Sequence, residues 1–343
     1  MKQICRFIKE NLEEGKACTL ITIISSEGSA PRGAGTSMAV SQSGQCFGTI
    51  GGGAVEHRVS KMAADVMKKG RSKTDFFMLH PNDVQDLGMI CGGDIRVYLQ
   101  YIAPSDENCA LYETICKEAE SNQNRWIVFE VDERQHSTVS VLSETEVVAG
   151  AKSAIQYLNC LSTAAAASWR ETGSYYIQPL AVKGKVYIFG GGHIARKLVP
   201  LLSGIDFSCV VYDSLEEFSD PADFPLAKEV ICGSFDCVND RLRLDEADFA
   251  VIMTRGHAFD YTVLRQVLEK HTAYTGMIGS RSKVQTTRTR LLGDGFSEAD
   301  IARIHSPIGL SIGAQTPAEI SVSIAAEMIA VRAALRKGEK TEN

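Results

Sequence analysis

Residues 185–214, "KVYIFGGGHIARKLVPLLSGIDFSCVVYDS", confine the second half of this chain to one class of fold. An apolar, β-rich run stops at three glycines, an amphipathic helical pattern begins at once, and a second apolar run ends on an acid. Gly190, Gly192 and Ala195 form G-x-G-x-x-A, and Asp213 stands roughly twenty residues on, where the dinucleotide fingerprint requires a carboxylate. Gly190 permits the tight turn, Gly191 and Gly192 bare the backbone to a pyrophosphate, and Ala195 lets helix and strand pack closely. The helix start adds free N–H groups and partial positive charge. Asp213 on a ribose diol would favour NAD over NADP. The alternative is the same fold without a nucleotide. His193 either touches phosphate or lies exposed at the helix start.

From Lys185 strands and helices alternate, the mark of a parallel sheet covered on both faces. Strands are expected at "KVYIFG", "SCVVYD", "EVICG", "DFAVIM" and "AYTGMIG", and helices at 193–203, 260–270 and 281–292. A last helix starts with Thr316 as N-cap, Pro317 at N1 and Glu319 closing a capping box. Ligands of such sheets sit beyond the carboxyl ends of the strands. That rule gathers Thr254-Arg255-Gly256-His257 and Ser280-Arg281-Ser282-Lys283. His257 is a candidate acid–base group or an ordinary loop residue. Arg281 and Lys283 form an anion site or a solvated helix face.

The first half reads differently. A helix over the N-terminus, with Ile4, Phe7, Ile8 and Leu12 on one face, precedes a buried strand from Cys18 to Ile24 and hairpin-forming runs. Three glycine-rich loops follow within about 70 residues: "GSAPRGAG" with Arg32, "GTIGGGAVE" with Gly51, Gly52 and Gly53, and "GMICGGD" with Cys91 between glycines. No Lys-Ser/Thr follows Gly53, so the triplet is not a P-loop. It serves either a second ligand or close packing of strand and helix. Glu56, in the first helical turn, is a capping charge or a hydrogen-bond partner for a heterocycle. Pro179 and Gly184 mark a boundary. The expected class is α/β, with a mixed α/β domain carrying glycine-rich loops over 1–182 and a Rossmann-like, doubly wound parallel-sheet domain over 183–343.

Composition limits the function. A net charge of −6 argues against broad nucleic-acid or anionic-membrane binding. No run reaches the roughly 20 apolar residues of a membrane span, and the N-terminus is no signal peptide. A cytoplasmic protein is expected. Ten cysteines without a C-x-x-C pair support neither a disulfide framework nor a structural zinc site.

The runs "GSAPRGAGTSMAV", "GTIGGGAVE", "GMICGGDIRVYL", "VYIFGGGHIA", "GMIGSRSKVQTTRTRLL" and "GFSEADIARIHSPIGLSIGAQTPAEISVSIAAEMIAV" together resemble the XdhC/CoxI family, accessory factors of xanthine dehydrogenase and related molybdenum hydroxylases. The resemblance covers nearly the whole chain. It implies a chaperone rather than a catalyst, one that binds molybdenum cofactor, assists its sulfuration and passes it to the apo-enzyme. Implied partners are the dehydrogenase, a cysteine desulfurase and a second copy of the chain. Many relatives carry Cys directly after the first triplet, where this chain has Ala54. Cys91 is then the remaining matching thiol, a contact for the cofactor's molybdenum, beside backbone donors at Gly51–Gly53 and the Arg32 guanidinium. The rival reading is an NAD-dependent oxidoreductase with His257 as its acid–base group. A third is a protein-interaction adaptor.

Overall fold

The computed structural model describes residues 1–28, 32–78, 93–132, 137–161, 166–168 and 174–337. The chain divides into two compact units, Met1–Val182 and Lys183–Asn343.

Unit 1 contains α1 (Lys2–Glu13), β1 (Cys18–Gly28), β2 (Ser37–Ser41), β3 (Cys46–Gly48), α2 (Gly53–Lys69), β4 (Lys73–Met78), β5 (Gly93–Ile102), α3 (Asp106–Ala119), β6 (Arg125–Val131), β7 (Ser137–Leu142), β8 (Val147–Ala149), β9 (Ala166–Ser168) and β10 (Ser174–Ala181). The strands form two sheets, ordered β3-β2-β1-β5-β4 and β8-β7-β6-β10-β9. Their ladders are antiparallel. Alternation along β1 explains the layering. Leu20 and Ile24 face a core shared with α1, α3 and the second sheet, while Ile21 and Ile23 face α2 through Val55, Val59 and Ala63. The expected apolar stripe of α1 is buried at Ile4, Ile8 and Leu12. The segment Lys152–Cys160 is a 3₁₀ stretch laid over the outer face of the second sheet.

Unit 2 contains β11 (Val186–Phe189), α4 (His193–Gly204), β12 (Cys209–Asp213), β13 (Glu229–Cys232), α5 (Val238–Arg241), β14 (Phe249–Ile252), α6 (Asp260–Leu268), β15 (Tyr274–Met277), α7 (Arg281–Gly293), α8 (Glu298–Ile301), β16 (Ile304–His305) and α9 (Pro317–Lys337). One six-stranded sheet runs β13-β12-β11-β14-β15-β16, and every ladder is parallel. This is the doubly wound Rossmann order, with its reversal between β11 and β14. The strands are apolar on both sides because helices cover both faces. α4 and α9 cover one face through Leu198, Leu202, Ile324 and Met328; α6 and α7 cover the other through Val263, Val267 and Leu291. β16, only two residues long, leaves no periodic trace in the sequence.

The caps follow the sequence. Thr316 Oγ1 accepts from Glu319 N at 3.2 Å, and the Glu319 carboxylate accepts from Thr316 N at 2.8 Å and Gln315 N at 2.9 Å, fixing the start of α9. Ser280 caps α7 by its side chain alone, its hydroxyl oxygen accepting from Lys283 N at 3.4 Å.

Candidate functional site

The two glycine triplets occupy equivalent strand-to-helix turns but are built differently. In unit 1, Gly51, Gly52 and Gly53 all have positive φ, at 128°, 73° and 67°. The chain's own side chains meet two of their amides. Glu56 Oε2 accepts from Gly52 N at 3.0 Å, Ile50 N at 3.3 Å and the Thr49 hydroxyl at 2.5 Å, while Thr49 Oγ1 accepts from Gly51 N at 3.1 Å. The Thr49 hydroxyl, together with these amides, holds the Glu56 carboxyl below the ordinary value of 4.5. Glu56 therefore folds back on its own loop. A Cβ placed on Gly52 or Gly53 meets nothing within 4 Å, so the outer side of the turn is open. Arg32 is exposed and Cys91 lies outside the described residues.

In unit 2 only Gly190 of the triplet has positive φ, at 115°. A Cβ there would lie 2.3 Å from Met253 O, because β11 and β14 diverge only beyond this point. At Gly191 a Cβ would lie 1.7 Å from Phe218 O. The Asp213 side chain, 4% exposed, accepts from Gly191 N at 2.9 Å and Leu215 N at 3.1 Å. The acid expected on a ribose diol thus ties the glycine loop to the turn after β12. Gly192 is different: its φ is −74° and a Cβ added there meets nothing within 4 Å. His193 is exposed at the start of α4. The open backbone of this triplet is one residue, not three.

A polar cluster stands beyond β14 and β15. Asp260, fully buried at the start of α6, accepts through Oδ1 from Thr254 N at 2.8 Å and Thr254 Oγ1 at 2.7 Å. Through Oδ2 it meets His257 Nδ1 at 2.9 Å and the Lys283 ammonium. Lys283 Nζ also donates to Ile278 O at 3.1 Å. The cluster brings together His257 and Lys283, picked out separately in the sequence, and centres them on Asp260, which was not. The signal was present: an acid three residues after a histidine at a helix start. Arg281 is the first residue of α7.

A second cluster also escaped the sequence reading. Glu327 of α9 accepts from Tyr274 OH at 2.5 Å and Gly309 N at 2.9 Å, and pairs with His305 Nδ1 at 3.4 Å. Burial pushes this carboxyl up, but the bonds from His305, Tyr274 and Gly309 outweigh it and hold the group below 4.5. The carboxylate pins the turn after the cis Ser306–Pro307 bond inside "SPIGLSIGAQ". Under α7 and α8, on the other face of the sheet, a cavity of about 420 Å³ is walled by Met277, Val284, Leu291 and Ile301, with Thr287, Arg288 and Glu298 among its polar lining. No group of three or more His, Cys, Asp or Glu among the described residues is placed to hold a metal. No helix among the described residues is long and apolar enough to cross a membrane.

Two family models match this chain: "XdhC and CoxI family" over residues 11–79 and "XdhC Rossmann domain" over residues 186–328. The chain belongs to the XdhC/CoxI family. Among curated proteins, it is 27% identical over 325 residues to a protein of Bacillus subtilis (strain 168) named as a probable xanthine dehydrogenase subunit, covering 94% of this chain and 95% of that one. It is 21% identical to "Molybdenum cofactor insertion chaperone PaoD" of Escherichia coli (strain K12), over 96% of this chain and 88% of the other. Similarity to YqeB of the same strain reaches 31% but spans 46% of this chain and 29% of YqeB. A crystal structure described as a xanthine dehydrogenase from Bacillus halodurans superposes with a TM-score of 0.81 at 22% identity, covering 98% and 97% of the two chains. The XdhC/CoxI assignment and the Rossmann order of unit 2 agree, and that superposition extends the likeness of fold to the whole chain.

Proposed function

We propose that this XdhC/CoxI protein carries molybdenum cofactor as cargo, assists its sulfuration, and inserts it into xanthine dehydrogenase or a related molybdenum hydroxylase. The observation that carries the reading is end-to-end similarity to a protein named as a molybdenum cofactor insertion chaperone. The donor types suit such a cargo. Open backbone at Gly53 in unit 1 and at Gly192 in unit 2, and the exposed Arg32, are of the donor types that suit a phosphate-bearing, anionic pterin. In this proposal a cysteine desulfurase supplies the sulfur and the chain works as a homodimer. The proposal names no nucleotide: Asp213, the acid a dinucleotide would use, is 4% exposed and accepts from two backbone N–H groups.

The test is retention. Purified chain is mixed with molybdenum cofactor, passed through a sizing column, and assayed for pterin fluorescence and molybdenum in the protein peak. Co-elution and transfer to apo-hydroxylase are expected; a cofactor-free protein peak overturns the proposal. Cys91→Ala bound as tightly as wild type removes the thiol from the cofactor contact.

A further inference from the structure

We propose that His257 is a proton-transfer residue, with Asp260 orienting its ring and Lys283 beside it, for a guest that presents an acidic O–H, N–H or S–H at the carboxyl rim of the unit 2 sheet. This does not rest on the cargo reading.

Three observations converge. First, the imidazole is half exposed, its side chain 51% accessible, whereas the carboxylate that holds it is fully buried. Nδ1 is engaged by Asp260 at 2.9 Å, and Nε2 has no hydrogen bond among the described residues. An ionised carboxylate only accepts, so in the neutral ring Nδ1 carries the hydrogen and Nε2 the lone pair. The buried end of the ring is fixed and the reactive end faces out, as in carboxylate-oriented catalytic histidines. Second, Asp260 has four donors on its two oxygens, one of them the Lys283 ammonium. That ammonium sits against the buried carboxylate without consuming Nε2. Two of its three hydrogens go to Asp260 and Ile278 O, leaving one for an anion. Third, the backbone is held in an unfavourable state. Gly256 and His257 have φ of 58° and 59°, and His257 is not a glycine. A non-glycine side chain kept in the left-handed region is uncommon, and such residues cluster at functional sites. The strained turn places the ring on Asp260 at the position where ligands of this fold bind.

The step is simple. The X–H bond of the guest breaks and its electron pair stays on X; the Nε2 lone pair takes the proton. Asp260 stabilises the imidazolium and Lys283 the new anion. The reverse step returns the proton.

Full-length wild type, Asp260→Asn and His257→Asn test this. Long-range ¹H–¹⁵N correlation of the ring is expected to show Nδ1–H and bare Nε2. Diethyl pyrocarbonate, followed by peptide mass spectrometry, is expected to acylate His257 faster than His193, which is also exposed. In Asp260→Asn the His257 rate should fall about tenfold with His193 unchanged. His257→Asn keeps a donor for Asp260 and tolerates the left-handed backbone, so its Tm should move by less than about 3 °C. An Nε2–H tautomer, an unchanged rate in Asp260→Asn, or a fall of more than about 10 °C in His257→Asn overturns the proposal, the last by making the ring a structural part.

Discussion

The two glycine triplets look interchangeable as text and are opposites as structure. In unit 1 three successive positive-φ residues make a turn that wraps around one carboxylate, Glu56. In unit 2 the three glycines do three jobs. Gly190 lets two strands approach, Gly191 makes room for the Phe218 carbonyl, and Gly192 leaves space outside. Glycine runs therefore mark where a side chain is forbidden, and the forbidding agent can be the fold itself as easily as a ligand.

Breaking the unit 2 triplet at its innermost glycine should have the largest effect. Gly190→Ala meets both a φ of 115° and a carbonyl oxygen 2.3 Å away, and should cost about 3–5 kcal/mol. Hydrogen exchange of the β11 and β14 peptides is the suitable measurement. Trp126 and Trp169 both precede residue 183, so tryptophan fluorescence does not report on this half. Protection equal to wild type would contradict the role given to Gly190.

Breaking the unit 1 triplet at its carboxylate should cost less. Glu56→Ala removes three accepted bonds from a partly exposed group, a loss of about 1 kcal/mol near neutral pH. The folded carboxyl lies below its ordinary 4.5, so the contribution is present above that value and disappears as pH falls through the folded one. Urea unfolding of wild type and variant should therefore converge in acid. A gap that stays constant with pH would show that the loop does not depend on the charge.

The smallest effect on stability should come from Gly192→Ala, within about 0.5 kcal/mol, since φ is −74° and the space is open. The same methyl should weaken cofactor retention at least tenfold if the guest lies on this turn. Unchanged retention would move the guest contact away from the second triplet and towards the first.

These contrasts explain what could be read from residues alone. Periodicity and caps gave the strands and helices of unit 2, because apolar runs, glycines and the Thr316–Glu319 box are local signals. The dinucleotide fingerprint was legible as letters, but the turn after β12 that occupies Asp213 was not, since its hydrogen bond to Gly191 links residues 22 apart. Asp260 and Glu327 were missed for a similar reason. Each is an ordinary helical acid until the sheet brings Lys283 to one, and Tyr274 and His305 to the other. β16 gains its register only from β15, through Thr275–Ile304 and Gly276–His305.

Glu327 has a mechanical consequence. One carboxylate staples the long C-terminal helix to a sheet strand, to a histidine and to the amide of Gly309, where a Cβ would strike Ser323 Oγ at 2.3 Å. Helix and loop are coupled like a lever and its pawl. Leu310, bonded to Ser323 of α9 through its own N–H and carbonyl, carries any shift of the helix to the exposed Ile312, where a spectroscopic label would report it.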